Sequence, residues 1–220
     1  RWSDAELVKG LASIAPGEGV LSEEGSQRVP QTRDYWVVDP LDGTTNFATG
    51  IPVWAISVAR FVDGRPSEVF LDVPALDQRF VALRGRGVMR NEQSLTTATR
   101  QHANSACVSL CSRSIRVLQR KPNQPFPGKI RLFGVASLNL VSVAIGQTIA
   151  ALEATPKIWD LAAAWLVLDE LGCPIRWLDI DPAELSPGQD LSQTSFPMLA
   201  AGSWSELARF LPWGEALLQP

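Results

Sequence analysis

A change of pattern near the middle of the chain restricts its fold more than any other feature. Between residues 53 and 91 the sequence reads as an antiparallel meander. Strand signals at Val53–Val62, Glu68–Val73 and Arg79–Leu83 are separated by an Asp63-Gly64 turn and by residues 74–77. Beyond residue 105 strands alternate with helices. Ala106–Leu110 and Lys129–Phe133 read as strands flanking a basic, Pro-rich loop, Ser137–Ile145 as a helix and Thr148–Ala154 as a strand. Asp160–Leu171 reads as a helix stopped by Gly172, followed by strands at Ile175–Leu178 and Met198–Ala201. Ser3 with Glu6, and Ser203 with Glu206, form capping boxes that predict a helix at each end. A meander followed by alternation predicts a mixed α/β layered architecture rather than a bundle or a β-sandwich. Residues 1–105 are expected to form an N-terminal α+β half and 106–220 a C-terminal α/β half.

Composition narrows the chemistry. His102 is the only histidine, which removes mechanisms needing a histidine base or a multi-histidine metal site. Cys107, Cys111 and Cys173 form no CxxC pair and are odd in number, so buried thiols in a reducing, cytoplasmic setting are expected. A net charge of -3 gives no broad attraction to nucleic acid. The basic cluster of Arg113, Arg116, Arg120, Lys121, Lys129 and Arg131 reads as a solvated helix face and loop. Apolar runs are broken by charges before they reach membrane-spanning length, so no membrane partner is expected.

The chemistry concentrates in residues 36–47, Trp-Val-Val-Asp-Pro-Leu-Asp-Gly-Thr-Thr-Asn-Phe. An apolar strand from Tyr35 delivers Asp39 to its C-terminal end, and Asp42 follows across a short turn. Two carboxylates so close repel unless a cation lies between them. Hard cations such as Mg²⁺ take oxygen ligands, which carboxylates and the Leu41 carbonyl supply. Gly43 permits a positive φ, and Thr44-Thr45 can open a helical turn whose N–H groups seat a phosphate. Asp42-Gly43 alone would read as an ordinary hairpin turn; the whole string is far more restrictive.

This segment resembles the first signature of the inositol monophosphatase family. Trp159-Asp160-Leu-Ala-Ala-Ala164 is similar to that family's second signature, and Gly50 to Trp54 and Gly87 to Asn91 fall between them in the same order. The likeness runs from Arg1 to about Ala216. It implies an alternating αβαβα sandwich in which both halves form one catalytic unit. It also implies a Mg²⁺-dependent, lithium-sensitive phosphoric monoester hydrolase with two or three ions, acting as a homodimer.

Position by position, the resemblance makes Glu23 a ligand of the first metal that helps orient the attacking water. Thr44 is its partner, Asp39 and Asp42 are bridging ligands, Leu41 is a carbonyl ligand, and Asp160 is a ligand of the second metal. Asp42, Gly43, Thr44, Gly134, Ala136 and Glu153 are the implied substrate contacts, with Glu153 on the alcohol part. Plainer readings stand beside these: Glu23 as a solvated loop acid, Asp160 as a helix N-cap, Glu153 as a strand end. Ser22 stands where the family commonly has Gly. The chain opens past the family's Thr-x-x-Asp element, so the N-terminal helical region is expected to be truncated. Inositol monophosphates lead the expected substrates, with histidinol phosphate and nucleoside or sugar bisphosphates as alternatives. The alternative of another class is an inactive, shortened family member serving as a binding or scaffold protein.

Overall fold

The computed structural model describes residues 2–97 and 106–219; His102 and residue 105, where the first half was expected to close, lie outside the described residues. Two sheets and six α-helices stack in alternating layers. The first sheet has seven strands in sequential order: β1 (Gly19–Ser22), β2 (Tyr35–Asp42), β3 (Ala55–Val62), β4 (Arg65–Val73), β5 (Gln78–Leu83), β6 (Gly87–Arg90) and β7 (Gln93–Leu95). β1 and β2 are parallel and every later pair is antiparallel, so the meander extends further in both directions than its strand signals suggested. The second sheet is ordered β11-β12-β10-β8-β9, built from β8 (Cys107–Leu110), β9 (Lys129–Arg131), β10 (Ala150–Glu153), β11 (Ile175–Trp177) and β12 (Met198–Ala201).

Helices α4 (Ala136–Ala144) and α5 (Ile158–Glu170) fill the space between the sheets. From Ile158 to Leu168 every residue of α5 is buried except Asp160, the only charged residue in that run. A helix apolar all round has to be covered all round, and the two sheets do that. Ala162, Ala163 and Ala164 let its backbone approach its neighbours, while Trp165 stacks edge-on against Phe61 of β3 and Trp177 of β11. At the far end of α5, Glu170 accepts hydrogen bonds from the N–H groups of Gly85 and Gly87, each at 2.7 Å, and pins the helix to the β5–β6 turn.

The outer layers are α1 (Trp2–Ile14), whose Leu7 and Leu11 cover Val38 and Val58 of the first sheet, and α6 (Trp204–Glu215), packed on the second. Among the described residues no helix is long and apolar enough to cross a membrane.

Three local readings needed correcting. Ser3 lies inside α1 rather than capping it, and its hydroxyl donates to the Pro40 carbonyl at 3.2 Å. The basic loop holds a 3-10 turn at Ser112–Ile115 and the short helix α3 (Arg116–Arg120). Nor is the basic cluster simply solvated. Arg116 and Arg120 donate to the carbonyls of Leu217 and Ala216, and Lys121 lies over the Trp213 ring, so these cations hold the end of α6. Ser203 caps α6 as its motif predicts, accepting from the Glu206 N–H.

Arg60 on β3 gathers Glu18, Asp34 and Glu68 at the start of β1. The Arg60 hydrogen bond holds the Glu18 carboxyl below its ordinary value. A lowered folded-state value means that this stabilisation is present above about pH 4.5 and lost as pH falls. Glu18→Gln is expected to lower the melting temperature at pH 7 by a few degrees, about 1 kcal/mol for a partly covered pair. At pH 3 the gap to wild type should close; a gap of equal size at both pH values would refute the assignment.

Candidate active site

In a regular strand residues 39 and 42 would point to opposite faces, because side chains alternate with period two. The register of β2 on β3 removes that obstacle. Asp39 pairs with Ser57 and Asp42 with Ala55, so β2 spends one more residue than its partner across Pro40-Leu41. That bulge resets the alternation. Tyr35 and Val37 face the central core while Val38 faces α1. Asp39 shares the inward face, and the bulge turns Asp42 inward as well. There Asp42 accepts the N–H groups of Ser137 at 2.8 Å and Ala136 at 3.3 Å, at the start of α4. A carboxylate at a helix N-terminus meets unsatisfied donors and the positive end of the dipole.

Asp160 reaches the same place from the start of α5. Its N-cap is Lys157, not Asp160 as the plainer reading had it; Asp160 lies in the first turn and its Oδ2 accepts the Lys157 N–H at 2.8 Å. It both closes the helix end and lies near enough to Asp39 for its charge to raise that carboxyl. Glu23, half-buried just after β1, acts on Asp39 in the same way. Asp39, 1% exposed, is therefore the hub between Glu23 and Asp160.

All four carboxyls are pushed above their ordinary values, each chiefly by burial. For Asp160 the value is about 8. After burial, the charges that raise Glu23, Asp39 and Asp160 are those of other carboxylates. A divalent cation among them would offset that repulsion.

The donor set fits Mg²⁺. Among the described residues no three acidic, histidine or cysteine side chains stand ready around a single point. They meet instead in pairs that share Asp39. Mg²⁺ commonly keeps several waters and takes one or two carboxylates, so a pairwise arrangement suits it better than a closed cage would. The Leu41 carbonyl lies in the bulge and already accepts the Thr44 hydroxyl at 3.0 Å; a carbonyl oxygen has a second lone pair.

Gly43 has φ +93°, and a Cβ there would lie 2.7 Å from Val135 Cγ2. Only glycine fits between the bulge and α2 (Thr44–Thr49). Gly43→Ala is expected to destabilise the chain by more than about 1 kcal/mol through backbone strain and overpacking, read as a lower midpoint in a thermal melt. Thr44 is exposed, and the first intrahelical bond of α2 runs from Phe47 N to Gly43 O, so donors at the head of the helix precede it.

An open cleft of about 280 Å³ adjoins the carboxylates, lined among others by Asp42, Asp160, Gly134, Ala136, Glu153 and Arg113. Glu153, 2% exposed at the end of β10, accepts Asn139 Nδ2 at 2.6 Å, and burial pushes its carboxyl well up. The sequence reading missed three members of this region. Asn46 donates to the carbonyls of Val53 and Phe133, at 2.8 Å each, and ties the bulge segment to the second half of the chain. Ser137 supplies its N–H to Asp42, and Asn139 holds Glu153. Asn46 was visible inside the quoted segment; the other two lie in an apolar helix that gave no signal.

The family model described as the inositol monophosphatase family matches residues 1–206. Nus factor SuhB of Xylella fastidiosa is 35% identical over 173 residues, covering 76% of this chain; the chain spans 62% of that relative's length. Histidinol-phosphatase of Mycobacterium tuberculosis is 34% identical over 192 residues, covering 81% of this chain and 72% of its own. A crystal structure of an IMPase/NADP phosphatase complexed with Mg²⁺ and phosphate superposes with a TM-score of 0.77 at 23% identity, covering 100% of this chain and 80% of that one.

Proposed function

The chain belongs to the inositol monophosphatase family, and from that premise we propose that it hydrolyses small phosphate monoesters with Mg²⁺, inositol monophosphates first. The carrying observation is that Asp42 and Asp160 line an open cleft and, with Glu23, press their charges on the buried Asp39. Histidinol phosphate and nucleoside or sugar bisphosphates follow as substrates, since relatives bear the names histidinol-phosphatase and IMPase/NADP phosphatase. Residues 1–105 and 106–220 act as one catalytic unit in this reading, because α5 of the second half carries Asp160 to the bulge of the first.

Asp39, Asp42, Asp160, Glu23 and the Leu41 carbonyl would hold two or three Mg²⁺ ions. When bound, these supply Lewis acidity at the phosphoryl oxygens and a water that loses its proton near neutral pH. Glu23 and the Thr44 oxygen accept hydrogen bonds from the attacking water and aim it at phosphorus. Thr44 can do so because its own proton is donated to Leu41. N–H groups at the head of α2 hold the phosphate oxygens as charge develops on them. Asp42, fixed by Ser137 and Ala136, keeps the bulge in register with α4. Glu153 meets a hydroxyl or amine of the departing alcohol, with Gly134 and Ala136 forming the wall. No covalent enzyme intermediate is needed.

Phosphate release should be measured with inositol 1-phosphate, histidinol phosphate, adenosine 3′,5′-bisphosphate and fructose 1,6-bisphosphate. Release that requires Mg²⁺, stops on chelation and falls with Li⁺ is the expected result. No release from any of these esters at saturating Mg²⁺ would sink the reading. Calorimetric Mg²⁺ titration then separates an enzyme, which binds the ion, from a scaffold that does not.

A further inference from the structure

Of the basic cluster noted in the sequence, three members are occupied in holding the end of α6: Arg116, Arg120 and Lys121. Arg113 is not. It stands in the 3-10 turn that follows β8, is exposed, and lines the cleft beside Glu153 and Asp160. One guanidinium nitrogen, Nη1, donates to Thr155 Oγ1 at 2.8 Å, which steers the fork along the cleft wall. It is the only basic side chain among the residues lining this cleft, whose charged groups are otherwise the acids Asp42, Glu153 and Asp160.

We infer that Arg113 binds a second anionic group on the leaving alcohol, a phosphate or a carboxylate, and lets the cleft accept doubly anionic esters beside neutral ones. The inference rests on the phosphatase reading above. Three features support it. A guanidinium offers five donors in a planar fork matched to carboxylate and phosphate oxygens, and Thr155 takes only one of them. Divalent ions at the carboxylates would neutralise the phosphate being cleaved, which leaves Arg113 as the counter-charge for anything negative further out. The position also fits: one cleft is lined by Asp42 and Asp160, where the ester would sit, by Glu153 and by Arg113 of the 3-10 turn. A neutral polyol would use Glu153 and leave Arg113 in solvent.

The test compares kcat/KM in saturating Mg²⁺ for β-glycerophosphate, whose alcohol is neutral, with 3-phosphoglycerate and fructose 1,6-bisphosphate. Arg113→Gln is expected to lower the ratio of charged to neutral ester by roughly 10- to 100-fold, mostly through KM, as for loss of one charge-assisted hydrogen-bond pair. Arg113→Lys should restore part of it. A larger fall on 3-phosphoglycerate would identify a carboxylate as the preferred group, and a larger fall on the bisphosphate a phosphate. Arg120→Gln, which removes an equal charge at α6, should leave the ratio within about twofold of wild type. A ratio unchanged in Arg113→Gln, or reduced as much in Arg120→Gln, overturns the inference. If wild type releases phosphate neither from these three esters nor from the four named above, the phosphatase reading fails. Calorimetric binding of the same esters then decides on Arg113 by the same ratio.

Discussion

Replacing Asp39 by asparagine is expected to lower Mg²⁺-dependent turnover by about a thousandfold while raising the melting temperature of the metal-free chain. The two effects share one cause. Asp39 is almost fully buried and is raised first by burial and then by the charges of Asp42, Glu23 and Asp160. Asparagine keeps the shape and cannot ionise. Without a cation the change removes a carboxyl that must either repel its neighbours or take up a proton, and each kcal/mol gained raises the midpoint by about 2–4 °C in a chain of this size. With a cation, it removes the ligand that both carboxylate pairs share. Phosphate release and thermal melts in chelator read the two sides separately. Turnover within tenfold of wild type would remove Asp39 from the mechanism, and a lower metal-free midpoint would remove the repulsion argument.

The second large effect is a pH dependence opposite to that of an ordinary salt-bridged protein. Carboxyls whose folded-state values are raised bind protons in the folded chain that the unfolded chain has already released. Their stabilisation is complete below the unfolded value of about 4 and is lost as pH rises through the folded one, about 8 for Asp160. Asp39 and Glu153, both pushed well up, act in the same direction. In chelator the melting temperature should therefore fall between pH 5 and pH 8, the buried acids releasing their protons as a coupled set. Saturating Mg²⁺ should flatten the slope, because a bound cation favours the ionised forms. The effect of Glu18 lies below pH 4.5 and does not overlap this window. A metal-free midpoint that is constant or rises from pH 5 to pH 8 would contradict the burial of these acids.

The layered fold was legible because its causes are local. Two-residue alternation marks β3 to β5, and the unbroken apolar run of α5 marks a helix covered on all sides. Asp160 opens that helix, and the residues alone read it as an N-cap; the family resemblance gave it its role at the site. Glu23 lacked even that: an acid in a polar loop has no periodicity around it, and only the family resemblance singled it out. The bulge at Pro40-Leu41 was not legible at all, since register is a property of β2 against β3 and neither strand states it alone. α3 was hidden because a five-residue helix has little propensity signal, and its side-chain bonds reach across to α6. Arg113 shows the same limit. Four neighbouring cations look alike in a string of letters, yet three grip one helix end and the fourth faces the cleft.

The anchoring of Glu170 to Gly85 and Gly87 gives the reaction centre a remote adjuster. α5 is a rod about 20 Å long, with its acid at one tip and this clamp at the other. A rigid rod passes on displacement along its axis rather than absorbing it. Substitutions in the β5–β6 turn, at the other end of α5 from Asp160, should therefore alter how closely Asp160 approaches Asp39, and the rate of the proposed hydrolysis should respond.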